Sequence, residues 1–193
     1  MFDVVTARDF YAMVIEDFDD FMDEPHSARR ALHCAISAYH LHEWIWSDWL
    51  KNDAAVRERI GIKKSKDEFV AWIFRANVWF YYVQGMANGT KHFGRTSDFG
   101  TIKVAAAPFA FDQPTTGFDQ GAWDGPVQYV SGSLSVGPKG QGYLILDLGE
   151  GAGPESRWMP VAHILEVVLR FWRDFFRYYQ PGEDFPTSCH HVS

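Results

Sequence analysis

The chain has little cysteine: Cys34 and Cys189 are the only two in 193 residues. One falls in a stretch of helical periodicity and the other near the end of the sequence. Neither a disulfide framework nor metal-ligand spacing follows, so no metal site is expected. Long apolar runs are also missing. Arg75, Asn77 and Gln84 interrupt the longest apolar region, and mean hydropathy is −0.23, so no membrane-spanning helix is expected. The opening MFDVVTARDF has an acid at its third residue and no apolar stretch or small-residue cleavage site, which does not fit a secretory leader. The expected location is therefore cytoplasmic. There is no GxxxxGK[ST], HExxH or GxSxG. The glycines of LGEGAGP, 148–154, follow a strand pattern, but Pro154 and five further residues precede Pro160, so no helix opens directly after them. That stretch reads as a turn, not a dinucleotide fingerprint, and no cofactor is expected.

Charge is distributed unevenly. The net value is −7, yet residues 1–24 alone hold eight acids against Arg8, and the remainder balances at 17 of each sign. Basic residues gather at Arg57, Arg59, Lys63, Lys64 and Lys66, and again at Arg170, Arg173 and Arg177. Either group could neutralise phosphates or simply be a solvated helix surface.

Aromatics are abundant, at 17% of the chain, and apolar residues recur at helical spacing over most of it. Thr6 and Asp9 resemble a capping box opening a helix over 6–22, with Phe10, Val14, Phe18 and Phe21 on its face. A second helix is predicted over 26–51, a short one over 53–61 ending at Gly61, and a long one over 65–88 opened by Ser65. Strand patterns occupy 101–106, 127–136 and 143–148 within a glycine-rich region. Pro160 opens a last helix over 160–179. The fold class these elements predict is mainly α: a four-helix-type bundle with a small antiparallel β-sheet inserted before the last helix. A single domain is expected, with the bundle in 6–93 and 160–179, a β-rich insertion in 96–157 and a loose tail in 181–193.

Two groups of residues could carry chemistry. His40 and Glu43 are i, i+3 and share a helix face. Metal-binding bundles use Glu-x-x-His with further carboxylates, whereas this order is reversed, so a hydrogen-bonded pair fixing helix packing is the plainer reading. Asn77, Tyr81, Gln84 and Asn88 form a polar stripe whose line continues to Lys91 and His92. Such a stripe either faces solvent, forms an internal network, or walls a pocket that ends in Asn88-Gly89-Thr90-Lys91-His92. In the pocket reading His92, Lys91 and Asn88 are the candidate catalytic group, able to hold an anion and move a proton. Asn77, Tyr81, Gln84, Arg95, His40 and Glu43 are then the candidate binding residues.

The sequence AYHLHEWIW on one long helix, followed by a helix running into ANGTKHF, resembles the HEPN-like helical bundles of bacterial toxin–antitoxin and defence systems. The resemblance covers 6–93 and 160–179 and omits the β-rich region. Active members carry Arg-x4–6-His; His92 matches the histidine, while Gly85, Met86 and Ala87 stand where arginine would. The resemblance therefore implies a binding or regulatory protein, with RNA or a partner protein as its partner, degenerate or no nuclease activity, and a homodimer. The alternative is a small-molecule or metal-dependent enzyme with a cavity between its central helices.

Overall fold

The computed structural model describes residues 4–91, 104–109, 141–147, 158–180 and 185–190. Helix α1, Ala7–Asp23, opens on a reciprocal cap. The Thr6 hydroxyl accepts from the Asp9 amide at 3.1 Å, and the Asp9 carboxylate accepts from the Thr6 amide at 2.8 Å. Its buried stripe, Tyr11, Val14, Ile15, Phe18 and Phe21, packs chiefly on α2, Ala28–Trp44. That helix presents Ala31, Ala35 and Ala38 inward, and small side chains allow neighbouring helices to approach closely.

After Trp44 the chain widens into a π-helical turn, Ile45–Leu50. The carbonyls of Leu50 and Lys51 receive the Arg57 guanidinium at 2.5 and 2.7 Å. Arg57 comes from the short helix α3, Ala54–Ile60, and is buried. It thus leaves the basic cluster of the sequence and caps carbonyls at the end of the π-helical turn, Leu50 also accepting from the Asp53 amide.

The long helix predicted over 65–88 is two helices, α4, Lys66–Ala76, and α5, Trp79–Lys91. Asn77 makes the break. Its backbone is extended (φ −143°, ψ 101°), its amide still donates to the Ile73 carbonyl, and its side-chain oxygen accepts from the Trp79 amide at 3.0 Å. One asparagine therefore closes one helix and caps the next.

Three short strands follow in the antiparallel order β1, Val104–Phe109; β2, Gln141–Asp147; β3, Trp158–Pro160. Ala105 pairs with Ile145, which in turn pairs with Pro160. β3 runs directly into α6, Val161–Tyr179, whose face from Val161 to Phe176 is buried. Trp172 lies fully buried at its centre and donates its indole N–H to the Ala38 carbonyl at 3.2 Å.

The four-helix-type bundle with an inserted sheet is therefore corrected. The protein is mostly α-helical, with six α-helices among the described residues. The helix count changes because Asn77 divides one predicted helix; the short helix predicted over 53–61 is present as Ala54–Ile60, with Gly61 at its C-terminus. The strands share the helical core: Leu144 and Leu146, two residues apart on one face of β2, belong to the same core as Ile164 and Trp172. The strand predicted over 127–136 lies outside the described residues. Among the described residues no helix is long and apolar enough to cross a membrane.

Candidate metal centre

The second half of α1 carries Asp19 and Asp23, four residues apart and so on one face. Residues 185–190 lie against that face. Phe185 anchors them, stacked on Phe176 of α6 with ring centroids 5.4 Å apart, and with the Arg8 guanidinium 4.4 Å from its ring centre. From there the segment follows α1 towards its C-terminus. The Ser188 hydroxyl donates to Asp19 Oδ1, and the Cys189 amide donates to Asp19 Oδ2 at 3.2 Å. The His190 amide donates to the Ser188 hydroxyl at 2.8 Å, and His190 Nε2 lies 3.0 Å from Asp23 Oδ1.

These contacts bring one ligand atom each from Asp19, Cys189 and His190 within 4.8 Å of one another. Ligands held at about 2.0–2.3 Å around a tetrahedral ion stand roughly 3.3–3.8 Å apart, so a contraction of about 1 Å converts the cluster into a coordination shell. Asp19 and His190 are half-buried and Cys189 is exposed. Burial pushes the Asp19 carboxyl up, but the hydrogen bonds from Ser188 and Cys189 more than offset this and hold it below the usual carboxylate range. Desolvation, together with the Asp19 carboxylate to which the thiol donates, pushes Cys189 up. The metal-free cluster is thus an ionised carboxylate accepting from a protonated thiol. A cation would take the proton's place.

The residues singled out in the sequence fall elsewhere. His40 Nδ1 meets Glu43 Oε2 at 3.2 Å, and Lys66 Nζ reaches Glu43 Oε1 at 3.0 Å. The Lys66 hydrogen bond leads the effects that lower the Glu43 pKa. This group fastens α2 to the start of α4. The neighbouring His42 is buried against Phe80, and burial pushes its pKa down, so it is a neutral core histidine. Asn77 is buried at the helix break, with its side chain occupied as a cap. Gln84 donates to the Tyr39 hydroxyl at 3.0 Å. Tyr81 and Gln84 do come together, with Phe74, Val78 and Tyr82, around an open cleft of about 520 Å³. Asn88 is exposed on α5 and Lys91 is the last residue of that helix. His92 and Arg95 lie outside the described residues, so the grouping of His92, Lys91 and Asn88 has no described geometry.

Sequence reasoning missed Asp19, Cys189 and His190 as a group. The available signals were the i, i+4 acids of α1 and the Cys-His-His run at 189–191, which lie about 170 positions apart and share no periodicity. No family model, curated protein or solved structure matches the chain.

Proposed function

We propose that this chain is a metal-dependent protein that binds one zinc-class divalent ion through Asp19, Cys189 and His190. The observation carrying the reading is the convergence of three chemically different ligand groups from opposite ends of the chain. The donor set selects the ion. A thiolate and an imidazole suit zinc or cobalt, whereas magnesium and calcium require shells made of oxygen. Among the described residues three ligands converge, which leaves one tetrahedral position for water, as in catalytic rather than closed structural sites, and Cys189 is exposed to solvent. A water held there would lose its proton near neutral pH, which supports metal-assisted hydrolysis as the reaction class. Because the ligands come from both α1 and the 185–190 segment, binding the ion and seating that segment become one event.

Equilibrium dialysis of the full chain against zinc tests the reading. Saturation at one ion per chain is expected, with Cys189→Ser and Asp19→Asn each losing most of the affinity while the metal-free fold is kept. Uptake that is negligible, or indifferent to both substitutions, would overturn it.

A further inference from the structure

Asp23 stands beside the metal cluster without belonging to it. Its carboxylate oxygen is 3.0 Å from His190 Nε2, yet the converging ligand atoms come from Asp19, Cys189 and His190. A carboxylate oxygen beside a ring nitrogen at this distance pairs with it as acceptor to an N–H, which selects the form of His190 with its proton on Nε2. In the neutral ring the lone pair then resides on Nδ1, and a nitrogen must offer a lone pair to bind a metal. Resting on the metal-binding reading above, we infer that Asp23 is a positioning residue that fixes His190 in the Nε2–H tautomer and so makes Nδ1 the ligating atom.

The local geometry favours this role over direct ligation. Asp23 closes α1, and its side chain is 67% exposed, against 32% for His190. It therefore reaches the ring from the solvent side. Asp19, one turn earlier on the same face, is the carboxylate that Ser188 and Cys189 engage. The two acids divide the work: Asp19 supplies a ligand, and Asp23 holds another ligand's far nitrogen. A carboxylate behind a metal-bound histidine also raises its basicity, and losing such a partner typically costs about 10–100-fold in metal affinity.

Cobalt binding to the full chain provides the test, because its visible spectrum reports the coordinating atoms. Asp23→Leu, which removes the acceptor, should weaken cobalt binding by about 10–100-fold. The saturated complex should keep the positions of its thiolate-to-cobalt and ligand-field bands. Asp23→Asn retains a carbonyl acceptor and should recover part of the loss. The far-ultraviolet circular dichroism of the metal-free chain should be the same in all three proteins, as expected if the fold is kept. Unchanged affinity in Asp23→Leu would overturn the inference while leaving the metal site standing. Shifted ligand-field bands would overturn it by making Asp23 a ligand. A wild-type chain that takes up no cobalt would remove the metal reading and this inference together.

Discussion

The seam between α2, α5 and α6 and the seam between α1 and residues 185–190 are held by opposite means. In the first, Trp172 sits fully buried against Phe80, with ring centroids 5.8 Å apart and planes at 83°, and its one polar atom is satisfied by the Ala38 carbonyl. Dispersion and the removal of apolar surface from water dominate there. In the second, apart from the Phe185 anchor, the contacts run from Ser188, Cys189 and His190 to two carboxylates. The apolar seam depends little on ionic conditions. The polar one responds to protons and, in the proposed function, to a metal ion. A protein that places its chemistry on the second kind of seam can alter that seam without disturbing the first.

Substitutions can break this contrast in order of size. Trp172→Ala should cost about 3–5 kcal/mol, because it opens a large cavity at the centre of α6 and removes the indole bond to the Ala38 carbonyl. A shift in the urea midpoint would measure it, and the loss should not change with added zinc. Asn77→Ala should cost about 0.5–2 kcal/mol, since the Trp79 amide loses its cap at the α4–α5 break. Far-ultraviolet circular dichroism during urea unfolding would give that value.

The Asp19 contribution should depend on pH with a definite sign. Its folded pKa is lowered, so the stabilisation is complete above the unfolded carboxylate value of about 3.9 and is lost as pH falls through the lowered folded value. Metal-free wild type should therefore be more stable than Asp19→Asn at pH 7, with the difference shrinking in acid. A constant difference down to pH 3 would contradict the assignment. Smallest of all is Lys66→Ala. The Lys66–Glu43 pair is more than 40% exposed on both sides, and its loss should cost no more than about 1 kcal/mol.

How much could be read from the sequence follows the same division. The Thr6–Asp9 cap and the buried stripe of α6 are written in local order, and the structure carries both. The break at Asn77 is not visible by periodicity, because Phe69 and Ile73 before it and Phe80 and Val83 after it all point into one core. An asparagine that caps a new helix has the same letter as one on a polar stripe. Arg57 looked like part of a solvated cluster. Its burial follows from the π-helical turn ahead of it, whose last carbonyls need a donor that composition does not announce. Tyr81 and Gln84 could be placed on a common face from their spacing alone. Cys189 and His190 could not be placed beside Asp19, since tertiary packing, with Phe185 between Phe176 of α6 and Arg8 of α1, brings that segment there.

Anomalous diffraction at the zinc edge, from crystals grown with zinc, locates any ion the chain binds. One strong peak per chain is expected between Asp19, Cys189 and His190, with the sulfur at about 2.3 Å and the nitrogen at about 2.0–2.1 Å. A zinc-loaded crystal whose peaks all lie away from these three residues would contradict the proposed metal site.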